Sequence, residues 1–537
     1  MNPERDKPIR NIVVVGGGSA GWITAGLIAA RHSSGANPRV TVTLVESPKV
    51  GTIGVGEGTW PTMRTTLQQL GIGESQFLRK CSAAFKQGTR FDGWVDGSGQ
   101  DCYYHPFTAP AGYPSIDLAS GWWQQKSRLS FVDAVSTQGM ICDRRLGPKQ
   151  AQTPEYAGVV NYAYHLDAGQ LASLLTDHCT QSLGVRHVRD HITAINAADN
   201  GDIASLQTAS NGSLAGDLFV DCSGMRSMLL GGHFDVPFID KSGILFNDTA
   251  LAVQVPYSED GMPIASQTIS TARPHGWIWD IGLTTRRGIG YVYSSRHGSD
   301  DQAHEILRNY LETTNAPAEA VQSPRKISFS PGYRKRFWHR NCVAVGMAAG
   351  FIEPLEASAL VMVELSARMI VEEMPANRRV MDIVARRFNE KFHYRWERII
   401  DFLKLHYVLS KRDDSAYWRD NRSADSVPDR LRDLVELWRF RPPSQGDFPH
   451  VDEIFSAASY QYVLYGMDFE STQLAQGDRQ QQDKAQRLFD SNVRSANQYL
   501  ANLPAHRALL DQIAQCSMPS AAPVLAVRDA DPTVRQP

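Results

Sequence analysis

Cysteine is scarce. The 537 residues contain seven, at 81, 102, 142, 179, 222, 342 and 516, an odd number with no C-x-x-C pair. This usage argues against a disulfide scaffold and for reduced, individually buried thiols in a cytoplasmic protein. No H-E-x-x-H and no Cys/His cluster at ligand spacing occurs, so no protein metal site is expected. An excess of positive charge is also missing: 55 Lys and Arg face 57 Asp and Glu, a net charge of −2, which speaks against a grip on nucleic acid. Long apolar runs are absent too. The stretch from Ile12 to Ala30 is broken by glycines and polar residues, and the opening MNPERDKPIR has no apolar core, so neither a membrane span nor a leader is expected. What is present is ordinary globular composition, 42% hydrophobic, in a chain long enough to bury a large core without staples.

Residues 11–16, NIVVVG, form a short apolar run of the kind buried in a parallel sheet. A glycine turn, a helix to about residue 31 and a second strand at 40–46 complete a βαβ opening, and a further helix is predicted over 61–71 with Pro61 in its first turn. Residues 88–160 and 235–340, rich in Gly, Tyr, Trp and Thr, read as mixed strands and loops. They hold one helix at about 300–313, with Ser299 and Gln302 at capping-box spacing. Apolar residues recur every three or four positions from Val384 to Leu403, predicting a long helix over 378–410, and the last twenty residues read as a mobile tail.

Gly16-Gly17-Gly18-Ser19-Ala20-Gly21 fits G-x-G-x-x-G between a strand and a helix. In that pattern Gly16 allows the turn, Gly18 lets the backbone approach a pyrophosphate, Gly21 permits close helix packing, and the amides at Ser19 and Ala20 face the anion. Glu46 closes the second strand, where a carboxylate can accept hydrogen bonds from ribose hydroxyls. Two later strands, one ending at Asp221 and one running into Gly346, are placed to return to a flavin. A second such fingerprint for NAD(P)H is absent, so the expected cofactor is FAD that arrives already reduced.

With these residues in view, the chain resembles the flavin-dependent halogenases of the tryptophan halogenase family up to about residue 470. The carriers are GGGSAGW at 16–22, VGEGTWP at 55–61, AAFKQGTRFDGW at 83–94, YHPF at 104–107, VDCSGMRS at 220–227, GWIWDIG at 276–282, FWHRNCVAVGMAAGFIEPLEASAL at 337–360 and HYVLSKRDD at 406–414. The resemblance implies that FADH2 supplied by a separate flavin reductase, with O2 and halide as co-substrate, yields hypohalous acid, which travels through a tunnel to a lysine beside an aromatic small molecule. Lys86 matches that lysine, whether as a hydrogen-bonding ammonium or as an amine that becomes a haloamine. Glu356 matches the glutamate that stabilises the σ-complex or takes its proton; Lys80 reads as helix surface. Ser358 and Ala359 match the halide-binding amides, although Ala357-Ser358-Ala359 stands where the family has Ser-Thr-Gly. Trp277 and Trp279 match the tunnel tryptophans, with Gly282 in place of a proline. His105 and Phe107 match residues flanking an indole, and Tyr460-Gln461 keeps half of a substrate-binding tyrosine pair.

The fold class implied is α/β: a Rossmann-type FAD module like that of flavin monooxygenases (1–87, 160–235 and 340–375) interleaved with a β-rich module (88–159 and 236–339). A helical substrate region (376–515) and a flexible tail (516–537) follow, and a homodimer is what the family suggests. Two other readings stay open: a single-component monooxygenase that hydroxylates its aromatic, and a flavin-binding homologue without halogenating activity.

Overall fold

The computed structural model describes residues 6–33, 39–51, 56–317, 324–450, 453–471 and 478–520. Every residue of Asn11–Val15 after the first is buried, as in a strand covered on both faces. It pairs in parallel with Thr41–Glu46 on one side and Leu218–Asp221 on the other. Among the described residues this sheet has six strands, in the order Trp338–His339, Cys342–Ala344, Leu218–Asp221, Asn11–Val15, Thr41–Glu46, Arg186–Arg189. Its neighbours are parallel except the first, antiparallel edge pair. The helix Ser19–His32 packs between Ala168–Gln181 and Ser358–Glu372. The parallel sheet therefore draws on residues 11–46, 186–221 and 338–344, and this α/β architecture is the one the glycine fingerprint predicts.

A second, mostly antiparallel sheet of seven described strands runs Arg325–Ser328, Thr249–Pro256, Arg286–Tyr293, Gly276–Gly282, Thr268–Arg273, Gly88–Asp92, Cys102–Pro106. Gly276–Gly282 is buried throughout. A small sheet of Gly56–Gly58, Ala163–Asp167 and Ala84–Lys86 packs against Gly276–Gly282 and Arg286–Tyr293 of the second, with Lys86 opposite Ala163 and Gly58 opposite His165. The helix Arg378–Leu409 buries Phe388, Phe392, Trp396, Ile399 and Leu403 of the periodic set read from the sequence and leaves its first member, Val384, partly buried. Asn377 caps its first turn through the Val380 amide. The helix Asp300–Thr313 opens with both hydrogen bonds of the Ser299–Gln302 capping box, and Thr62–Leu70 stops at Gly71 with φ +78°.

Three expectations need correction. Residues 88–159 are not strand-rich throughout: Leu118–Trp123, Phe131–Val135 and Gln138–Asp143 are short helices covered by the helix Arg479–Asn502. Asp117 and Ser130 start the first two by accepting from the amides of Ser120 and Asp133, a local signal that aromatic-rich composition masked. The start of the tail is docked, since the Met518 amide donates to Ser75 Oγ at 3.0 Å and the Pro519 carbonyl accepts from Glu155 at 2.9 Å; residues 521–537 lie outside the described residues. Cys102 and Cys516 are exposed, unlike the other five thiols. Among the described residues no helix is long and apolar enough to cross a membrane, and no group of three or more metal-binding side chains comes together.

Candidate active site

The glycine turn excludes a side chain at some positions and leaves open space at another. Gly16 has φ +116°, and a Cβ there would lie 2.2 Å from the Cys222 carbonyl oxygen of the neighbouring strand end. A Cβ on Gly21 would lie 1.8 Å from the Gly16 oxygen, so the helix can seat against the turn only without one. At Gly18 the opposite holds: nothing lies within 4 Å of a Cβ position, and the helix Ser19–His32 starts there with no side-chain cap on its free amides. Glu46 leans over Gly17, where a Cβ would meet its Oε2 at 1.7 Å, while His187 Nε2 holds its Oε1 at 2.7 Å. Gly346 (φ +68°) brings its turn against the same helix start, a Cβ there falling 2.8 Å from the Ala20 methyl. Open space at uncapped amides beside an anchored strand-end carboxylate fits a dinucleotide's pyrophosphate and ribose. Asp221 sits differently from its sequence reading. It is fully buried, Oδ1 accepting from the Ser223 amide and hydroxyl and Oδ2 from the Leu229 and Leu230 amides, so it organises the turn from within.

Lys86 is 1% exposed. Its strand is clamped by the Phe85 amide donating to His506 Nε2 at 3.0 Å, and by the Phe85 ring set edge-on to Tyr162. Below that ring a buried ion pair joins Lys149 to Glu74 at 2.8 Å, and Glu74 also accepts from the hydroxyls of Tyr162 (2.7 Å) and Tyr164 (2.6 Å). Burial pushes the Lys86 ammonium down from 10.5 to about 8, against the pull of Glu356 in the other direction. The Nζ atom stands 5.3 Å from the centroid of the Phe107 ring. A Cβ placed on Gly58 would lie 3.1 Å from Lys86 Nζ and 3.2 Å from the Ala357 methyl, so this glycine keeps open the space where the lysine and the Glu356 turn meet.

Glu356 (φ +64°) and Ala357 (φ +55°) are two consecutive non-glycine residues in the left-handed region, directly before the helix Ser358–Glu372. The Trp60 indole N–H, donating to the Glu356 carbonyl at 2.8 Å, and the Ala357 amide, donating to the Pro354 carbonyl at 2.9 Å, hold this turn. The Glu356 side chain is buried, with Oε1 2.8 Å from His105 Nδ1 and 3.5 Å from His406 Nε2. Burial alone would raise its pKa; His105 with its hydrogen bond, His406 and Lys86 outweigh that and hold the carboxyl below the ordinary 4.5. His406 is neutral, pushed by burial down to about 3, and its Nδ1 pairs with the Tyr103 hydroxyl at 2.6 Å. Ser358, buried, and Ala359, exposed, open the helix beyond the turn.

Around the carboxylate stand aromatic rings. Phe402 lies 5.4 Å from His105 and stacks on Phe455 at 3.7 Å, Trp60 meets Phe455 edge-on, and Tyr462 lies 6.3 Å from His105. Tyr460 is one layer further back, packed on the far side of Phe402 with Trp438 and Phe448, and Gln461 donates to the Pro443 carbonyl. Trp277 and Trp279 share a face of their strand, buried, 6.3 Å apart. Glu353 secures the first, its Oε2 accepting from the Trp277 indole (2.7 Å), Tyr407 (2.7 Å) and Asn247 (2.6 Å). The structure thus brings Lys86, Glu356, His105 and Phe107 together. It adds Gly58, Tyr103, Glu353, Phe402, His406 and Phe455, to which the sequence reading assigned no role. Two spacings could have exposed some of them: Phe402 and His406 are four apart on one helix, and Tyr103 and His105 alternate on one strand.

By fold and by relationship the chain falls in the class of flavin-dependent halogenases. The chain belongs to the tryptophan halogenase family, whose model, described as Tryptophan halogenase, matches residues 11–483. It is 32% identical to the tryptophan 6-halogenase SttH of Streptomyces toxytricini, over 85% of this chain and 88% of that one. Among solved structures it is similar to a tryptophan halogenase from Shewanella frigidimarina, with TM-score 0.93, 49% identity and 96% and 100% of the two chains covered. BrvH, a flavin-dependent halogenase from Brevundimonas sp., gives TM-score 0.82 at 30% identity, covering 94% and 99%.

Proposed function

We propose that this chain halogenates an indole or a related electron-rich aromatic, using FADH2 delivered by a separate flavin reductase together with O2 and chloride or bromide. The observation that carries the reading is the buried Lys86, facing Phe107 across the space it shares with the Glu356 turn. FADH2, when bound, supplies with O2 and halide the hypohalous oxidant. Gly16, Gly18, Ser19, Ala20, Gly21 and Gly346 hold the cofactor's pyrophosphate side and Glu46 its ribose; the Ser358 and Ala359 amides hold the halide. Trp277 and Trp279 wall the passage, the first kept rigid by Glu353. The FAD module is built from residues 1–87, 160–235 and 340–375.

At the aromatic end, His105 and Phe107 flank the substrate ring. With its pKa near 8, Lys86 is mostly ammonium at neutral pH and donates a hydrogen bond to the oxidant, while the amine form is within reach. Halogen transfer forms the carbon–halogen bond as the oxygen–halogen bond breaks, and the departing hydroxide takes a proton from the Lys86 ammonium and leaves as water; the proton later removed from the ring balances the one Lys86 gave. Glu356 then takes the proton from the same ring carbon, returning the C–H electron pair to the ring. Its Oε1 is held by His105, and among the described residues Oε2 has no hydrogen bond, which leaves it free for the proton.

The test is a mass-shift screen of indoles, tryptophan and phenols with protein, FAD, a flavin reductase, NADH, O2 and either halide. Halide-dependent product with the wild type and none with Lys86→Ala, FAD binding being retained, is the expected result. Hydroxylated product without halide incorporation would overturn the reading.

A further inference from the structure

We propose that Tyr103 and His406 form a positioning pair for Glu356, a role that rests on the reading of Glu356 as proton acceptor. The His406 ring is fully buried, stacked on Phe91 at 4.7 Å and meeting Phe402 edge-on at 5.3 Å. An apolar ring would satisfy that packing, yet Nδ1 is paired, and Nε2, which makes no hydrogen bond among the described residues, faces the Glu356 carboxylate. The Tyr103 hydroxyl lies 2.6 Å from Nδ1 and has no other hydrogen-bond partner among the described residues, so the phenol gives its proton to Nδ1. A neutral imidazole that accepts at Nδ1 carries its hydrogen on Nε2, and Nε2 stands 3.5 Å from Glu356 Oε1.

Three polar groups from three elements face this carboxylate: His105 from the strand Cys102–Pro106, His406 from the helix Arg378–Leu409, and Lys86 from the strand Ala84–Lys86, with the Tyr103 hydroxyl behind His406. His105 holds Oε1 by a hydrogen bond at 2.8 Å, and the Nε2 hydrogen of His406, which has no other partner among the described residues, turns its positive end to the same oxygen from 3.5 Å, favouring the rotation that presents Oε2. The His406 N–H does this without adding a second cation beside Lys86, because burial keeps the ring neutral. Tyr103 acts one step further back, by choosing which nitrogen bears the hydrogen.

The experiment is infrared difference titration of the FAD-loaded protein between pH 3 and 7, with Glu356→Gln identifying the Glu356 carboxyl band. His406→Phe, which keeps the stacking, is expected to raise the Glu356 midpoint by about one pH unit, a tenfold change in proton affinity. Tyr103→Phe should raise it by less, and His406→Gln, which restores an N–H donor, should return it near the wild type. In halogenation assays, His406→Phe should lower kcat about tenfold with the aromatic KM within about twofold, and move the acid limb of the pH profile upward. A Glu356 midpoint unmoved in both His406→Phe and Tyr103→Phe would overturn the proposal. Absence of halogenated product from the wild type would instead overturn the proposed function, while the midpoints still decide on the pair.

Discussion

Replacing Lys86 with methionine should make the protein more stable and chemically inert. The side chain is 1% exposed, and burial brings its ammonium from 10.5 down to about 8. That difference corresponds to about 3 kcal/mol by which the fold disfavours the charged form at pH 7. Methionine keeps the stem's volume and removes the charge, so Lys86→Met should be about 2–3 kcal/mol more stable than the wild type at pH 7. The sign of the pH dependence follows from the lowered pKa. Between about pH 8 and 10.5 the unfolded chain binds this proton and the folded one does not, so wild-type stability rises through that window relative to the variant. The gap should close by pH 10.5. Denaturation midpoints of both proteins in urea at pH 7, 9 and 10.5 measure it, with flavin fluorescence reporting FAD binding and mass spectrometry reporting product. A variant less stable than wild type at pH 7, or a gap that does not shrink with pH, would refute the argument that the buried ammonium is held at a cost for chemistry.

Gly21→Ala places a Cβ 1.8 Å from the Gly16 carbonyl oxygen, so FAD binding should be lost along with about 1–3 kcal/mol of stability, read by flavin fluorescence and thermal melting. Gly58→Ala intrudes to 3.1 Å from Lys86 Nζ and 3.2 Å from the Ala357 methyl; halogenation should fall about tenfold or more with FAD affinity unchanged. Glu74→Gln leaves the Lys149 ammonium buried beside a neutral amide, and should cost about 3–5 kcal/mol in urea unfolding at pH 7.

Most of what could be read in advance was local. The turn from Gly16 to Gly21 is a contiguous pattern whose backbone demands are the same in every such fold, so its roles were legible one glycine at a time. The helices Asp300–Thr313 and Arg378–Leu409 were equally legible, because caps and periodicity act within a few residues. The roles proposed for Lys86 and Glu356 come from resemblance rather than physics, since an isolated lysine in Ala84-Phe85-Lys86 has no local mark of burial. The short helices between 118 and 143 escaped because composition averages over the Asp117 and Ser130 caps. Asp221 escaped because a strand-end carboxylate is the same letter whether it faces a ligand or its own chain.

The order of residues alone determined a parallel-sheet opening, a dinucleotide turn, a long amphipathic helix and a chain without the charge excess that nucleic acid demands. Each of these is written within a handful of neighbours. Tertiary structure decided what Glu356 can do: its neighbours at 86, 105 and 406 are 270, 251 and 50 residues away along the chain, and they meet it only because two strands, a left-handed turn and a helix come together at one point. Charge state and orientation in a buried site are set by distances through space, which separation along the backbone does not encode.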